Sequence, residues 1–179
     1  GVFMKFEDAQ KDMRFSYIDG GPGVLVSGLI WCIAGLMALI YSNQLSMLTL
    51  FFGGMLIHPL AILFSKNRKR SGAHDPKNPL GKLALESTVI IFVGLFLAFS
   101  IATLHLEWFY PIMLMMIGVR YLAFNTLYGL KIYWILGGIL IFFGVIFTLL
   151  DTGFVVGAFI GGAIEIAFSL VILKQSTTP

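Results

Sequence analysis

Six apolar runs follow one another through this chain with scarcely a gap, at residues 24–41, 45–64, 83–104, 108–124, 132–150 and 153–173. Each is close to the ~20 residues that a helix needs to cross a hydrocarbon layer about 30 Å thick. No water reaches a backbone amide there, so each run must satisfy its own N–H and C=O groups, which at this length means an α-helix. The expected fold is all-α: a polytopic integral membrane protein with six transmembrane helices, residues 1–179 forming a single membrane domain. Composition leaves little room for anything else, because 58% of the residues are hydrophobic and 12% charged, against roughly 45–50% and about 25% in a soluble domain. The lone cysteine, Cys32, lies inside a run, so no intramolecular disulfide can form. Metal-ligand spacings and cofactor motifs are absent from the sequence, and neither a metal nor a cofactor is expected.

The charges say how the runs are oriented. In residues 4–18, Phe6, Ala9, Met13 and Tyr17 recur at helical spacing, while Lys5, Asp8, Lys11, Asp12 and Arg14 fall mostly elsewhere, the pattern of an N-terminal amphipathic helix lying in the membrane interface. Interspersed acids separate it from a cleavable signal, and Met4-Lys5, after Gly1 to Phe3, reads as a natural start. Asp19-Gly20-Gly21-Pro22-Gly23 then turns the chain into the first span. It lacks the Gly-Lys-Ser/Thr ending of a phosphate-cradling loop. A basic loop at 65–82 carries Lys66, Arg68, Lys69, Arg70, Lys77 and Lys82, and a short polar tail runs from Lys174 to Pro179.

Six spans alternate sides, and all twelve Lys and Arg residues fall at one side, whereas the opposite turns hold only His105, Glu107 and Asp151. By the positive-inside rule both termini are cytoplasmic, in an inner (plasma) membrane. The formal charge of +3 thus reports topology, and no nucleic-acid partner is expected. The expected partner is the bilayer, with Lys66, Arg68, Lys69 and Arg70 placed to hold anionic lipid headgroups.

Within the spans, polar groups coincide with small residues. Gly153, Gly157, Gly161, Glu165 and Ser169 share one helix face, and Glu86, Ile90, Gly94, Ala98 and Ala102 share another. Gly21, Gly28 and Gly35 recur every seven residues, a seam for close helix approach within the chain or in a homo-oligomer. His58 precedes Pro59, which cannot donate to the carbonyl of Met55. Arg120 lies inside the fourth span, with Asp19 and Asn125 at the rim. A rise of about 1.5 Å per residue puts Glu86 roughly 5 Å from the cytoplasmic ends, Arg120 and His58 roughly 8–9 Å and Glu165 roughly 12 Å. A charge at mid-span costs on the order of 2.5–3.5 kcal/mol, so Glu165 must be paired, protonated or hydrated. Arg120 is its nearest partner in depth and His58 the next, while Lys82 is spaced to pair with Glu86.

The Gly20-Gly21-Pro22-Gly23 turn, His58-Pro59, and Arg120 followed by Asn125 resemble the small six-span bacterial membrane proteins grouped as a family of unknown function. That resemblance implies the fold and no activity. Three spans per half put the second half in the opposite sense, the geometry of an inverted repeat. Three functions fit these features. The first is a small-solute or ion transporter, or channel-like protein, with a cytoplasm-facing cavity built from Glu165, Arg120, Glu86, His58, Asp19 and Asn125. The second is a structural, partner-binding or lipid-binding protein whose buried charges fix helix packing. The third is an intramembrane lipid-modifying enzyme, for which no nucleophile, metal or paired-acid motif is present. The first is the expectation taken forward.

Overall fold

The computed structural model describes residues 4–176. The start motif's Gly1 to Phe3 and the last three residues of the polar tail lie outside the described residues. Among these residues seven α-helices follow in order: α1 Phe6–Tyr17, α2 Gly21–Ile40, α3 Asn43–Asn67, α4 Leu80–Ala102, α5 Phe109–Tyr128, α6 Ile132–Leu149 and α7 Phe154–Ser176. Among the described residues there is no strand. The helices α2 to α7 are long and apolar enough to cross a membrane, as the six runs required.

The basic segment is shorter than the 65–82 loop expected. Helix α3 continues through Lys66 and Asn67, and α4 already begins at Leu80, whose N–H donates to Asn78 Oδ1 at 2.9 Å. That side-chain acceptor takes over a first-turn donor that the helix itself leaves unpaired. Between α1 and α2 the chain reverses through Ile18, Asp19 and Gly20, all with positive φ (50°, 57° and 79°). Gly20 is forced: its Cα packs against Tyr128 and Tyr133, leaving no room for a Cβ. Pro22 then falls in the first turn of α2, where a missing N–H costs nothing.

Packing is uneven around the bundle. Helix α2 lies between α3 and α7, and α5 lies between α4 and α6, with α7 also touching α5 and α6. Each half's first helix thus packs on its own second helix and on the other half's third. The glycine seam of α2 faces α7 throughout. A Cβ on Gly21 would meet Leu173 at 2.8 Å, one on Gly28 the carbonyl of Gly162 at 2.9 Å, and one on Gly35 the ring of Phe159 at 2.9 Å. Gly118 of α5 and Gly137 of α6 are in the same relation, each against the other's carbonyl at 2.7 and 2.6 Å.

Helices α3 and α4 behave differently. They touch through Phe51 and Phe99, ring centroids 6.3 Å apart, toward the end remote from α1. Toward the α1 end a hollow lies between them, lined by Ile57 and His58 of α3 and Ala84 and Thr88 of α4. Helix α1 straps that end of the bundle. Gln10 Nε2 donates to Thr126 O at 2.8 Å and Arg14 Nη1 to Tyr128 O at 2.9 Å, so a cation sits on the carbonyl end of α5. The 68–79 segment folds over α1 from the other side: Asp12 Oδ2 accepts from the Asp75 N–H (2.9 Å) and Asn78 Nδ2 (2.8 Å), and Gly72 N–H donates to Ser16 O (3.1 Å). Ala9 and Met13 are buried beneath this strap, but Phe6 faces outward, 55% exposed, although helical spacing had grouped it with them.

Candidate functional site

Arg120 projects from α5 into the space that α3 and α4 leave open. Its Nη2 reaches Thr88 Oγ1 of α4 at 3.5 Å, and its guanidinium lies 5.2 Å from the centre of the Phe124 ring. Nε is buried with no partner, and no carboxylate among the described residues pairs with it. An arginine cannot shed its charge, so this is a cation held inside the bundle without a counter-ion.

Three hollows meet at that guanidinium. The largest, about 420 Å³, is walled by Tyr17, His58, His74, Thr88, Arg120 and Tyr128, with Gly54 and Leu85 at its edges. A second, about 90 Å³, runs inward past Ser27, Ser65 and Tyr121. A third, also about 90 Å³, is an apolar channel between α3 and α4 lined by Leu50, Phe51, Met55, Ile91, Phe92 and Leu95. No Asp or Glu lines any of the three. His58 stands exposed on α3, its ring 6.5 Å from that of Tyr17, whose hydroxyl is hydrogen-bonded to His74 Nδ1 at 2.8 Å. Pro59 lies inside α3 one residue on, so the carbonyl of Met55 lacks its helical donor beside the hollow.

Glu165 lies elsewhere. It is fully buried in α7, where the Tyr121 hydroxyl donates to its Oε1 at 3.0 Å. Its Oε2 has no partner, and Ser27 Oγ lies beside the pair without a hydrogen bond of its own. Arg120 is within electrostatic reach but forms no ion pair with the carboxylate. Tyr121 and Ser27 stand between Glu165 and the Arg120 hollow, so the carboxylate is behind the wall rather than on it.

The other expected site residues are dispersed. Glu86 is exposed on α4 and forms no ion pair with Lys82, which is exposed too. Asp19 sits at the α1–α2 corner, its carbonyl accepting from the Tyr133 hydroxyl at 2.6 Å and its carboxylate close to Ser176, Arg14 and Arg70. Asn125 clips the α5–α6 turn: with its amide oriented to suit both neighbours it donates to Leu130 O at 3.1 Å and accepts from Trp134 Nε1 at 3.2 Å. Lys66, Arg68 and Lys69 are exposed, whereas Arg70 is folded onto the Phe15 ring at 4.3 Å. Among the expected site residues, therefore, the structure brings His58 and Arg120 together, with Glu165 adjacent.

The residues that sequence reasoning passed over are aromatic or hydroxylic: Tyr121, Tyr128, Tyr133, Ser27 and Thr88. Tyr121 and Tyr128 are seven apart on the helix that carries Arg120, with Phe124 between them, and all three rings pack against Tyr133 of α6 at 5.4–5.9 Å, Tyr128 stacked, Tyr121 tilted and Phe124 edge-on. That spacing was the available signal. Among the described residues no three His, Cys, Asp or Glu side chains gather as a metal site would need. No curated protein and no solved structure matches the chain. A family model does, over residues 6–175, from the first turn of α1 to the last turn of α7 and across Arg120, His58 and Glu165. The chain therefore belongs to DUF7010, a family of unknown function.

Proposed function

We propose that the protein is a small-solute transporter whose solute is an anion held by Arg120. The observation that carries this is the guanidinium itself, which forms no ion pair among the described residues: a permanent cation, on the wall shared by three hollows, none of which is lined by a carboxylate. Ionisable groups at membrane depth are expensive, and they recur where a substrate supplies the missing partner. The planar fork of arginine matches a carboxylate or phosphate through two parallel hydrogen bonds. Thr88 and the hydroxyls of Tyr17 and Ser65 add polar groups around the same space.

The way the helices pack supports movement of one side against the other. Helix α3 carries Gly53, Gly54 and Pro59 and has few buried positions, whereas α2, α5, α6 and α7 hold one another through backbone-close contacts. The exchanged packing of first and third helices between the halves suits an inverted repeat, in which one unit rocks on the other. With both termini on the cytoplasmic side, the hollow lies in the cytoplasmic half, the half that also carries exposed Lys66, Arg68 and Lys69, suited to attract anions and anionic headgroups. Glu165 is assigned a packing role: its one hydrogen bond ties α7 to α5.

The test is anion-dependent stabilisation of the purified protein in detergent, followed by flux of the stabilising anion in proteoliposomes. Binding of an anion to native protein, with at least tenfold loss in R120Q, is the expected result. Equal behaviour of native protein and R120Q towards every anion would remove the proposal.

A further inference from the structure

Resting on the assignment of Arg120 as the anion site, we infer that the anion is amphipathic and comes from the bilayer: a lipid whose phosphate head meets Arg120 and whose chain lies in the channel between α3 and α4. Access is the first ground. The end of the bundle is strapped by α1, with Gln10 and Arg14 bonded to carbonyls of α5, and by the 68–79 segment bonded to α1. Sideways there is no such closure. Gly54 and His58 of α3 and Leu85 of α4 border the largest hollow and are themselves exposed on the outer surface of the bundle, Leu85 by 68%. The strap lies over the end of the bundle, whereas the gap between α3 and α4 faces the acyl chains directly.

The second ground is the division of the space. Arg120, Gly54, Ile57 and Thr88 border both the polar hollow of about 420 Å³ and the apolar channel. On one side of this shared border stand His58, His74 and Tyr17, and on the other Leu50, Phe51, Ile91 and Phe92. A compact hydrophilic anion would use the first and leave the second as bare hydrocarbon wall. Met55 and Phe92, on the channel's outer rim, are 49% and 51% exposed, so the channel is open along its length to acyl chains. The third ground is charge complementarity. The cation at the junction forms no ion pair among the described residues: His58 of α3, Thr88 of α4 and Tyr121 and Tyr128 of its own helix face it, and the carboxylate within electrostatic reach, Glu165 of α7, lies behind Tyr121 and Ser27 and lines none of the three hollows.

Delipidated full-chain protein in neutral detergent, studied by native mass spectrometry, tests the inference with three probes: phosphatidic acid, phosphatidylcholine and inorganic phosphate. Two variants serve, R120Q and G54F. A Cβ on Gly54 meets nothing within 4 Å and the residue borders both spaces, so a phenyl ring there is expected to obstruct the lateral opening, with folding of the variant checked by size-exclusion chromatography. The expected result is phosphatidic acid bound at least tenfold more tightly than the other two, with that preference lost in both variants. Inorganic phosphate bound as well as phosphatidic acid, lost in R120Q and unchanged in G54F, would overturn the lipid inference while leaving the Arg120 anion site standing. No difference between native protein and R120Q for any probe would overturn both. If R120Q fails to fold, G54F decides alone: a lost lipid preference with Arg120 intact supports the inference, and a retained one refutes it.

Discussion

Two sides of this bundle hold an ionisable side chain at comparable depth, and they treat it in opposite ways. On the side made by α2, α5, α6 and α7, glycines bring backbones into contact, and Tyr110, Tyr133 and Glu165 are fully buried. On the side made by α3 and α4, a hollow lies between the helices, and Arg120 is left on its wall with one orphan nitrogen. Depth alone therefore does not mark a binding residue. What separates the two is whether the neighbouring backbones close over it.

The comparison can be broken most decisively at its packed side. Gly162→Leu drives a side chain into the Gly28 carbonyl, which already lies 2.8 Å from a bare Cβ. Overpacking of this kind costs about 1–3 kcal/mol or more, and folded, monodisperse protein should be lost on size-exclusion chromatography. Gly54→Ala, on the open side, should be silent within about 0.5 kcal/mol. Equal tolerance at both positions would erase the distinction between the two sides.

Next in size is Tyr121→Phe, which strips Glu165 of its only hydrogen-bond donor. A buried polar group left unsatisfied costs about 1–3 kcal/mol, read as a lowered midpoint in detergent thermal denaturation. Glu165→Gln keeps an oxygen to accept from Tyr121 and adds a donor near Ser27, so it should stay within about 1 kcal/mol of native stability. An inactive but fully stable Glu165→Gln protein would move Glu165 from packing to transport.

Arg120→Gln should show the reverse profile. Unliganded stability is kept or raised, because an uncompensated buried charge is removed, while anion affinity falls at least tenfold, about 1.4 kcal/mol. A strong loss of stability without ligand would place Arg120 among the packing residues. The smallest effect belongs to the strap. Arg14→Ala removes one charged hydrogen bond to the end of α5, and hydrogen exchange of the α1 amides should rise several-fold, with a global cost of about 1–2 kcal/mol at most.

Much of the architecture was legible from residues alone. Six runs of bilayer length, an N-terminal amphipathic stretch and clusters of turn residues led to α1 to α7 within a few residues, and the heptad of Gly21, Gly28 and Gly35 marked a close contact that α7 fills. The candidate site was legible only in part. Arg120 and His58 meet at one hollow, but Glu86, Asp19 and Asn125 do not join them, and Tyr121 intervenes before Glu165.

The physical reason lies in the solvent. Crossing hydrocarbon demands length and apolarity, both local properties that a single segment displays, so span number and extent could be read without knowing any neighbour. Rotation of each span about its axis is not local. Lipid and protein interior are equally apolar, so a span shows little of the amphipathic contrast that orients a helix in water. Which side of α4 carries Glu86 outward, which side of α5 turns Arg120 toward α3, and where α3 and α4 part are decided by packing between segments, and only the tertiary structure settles them.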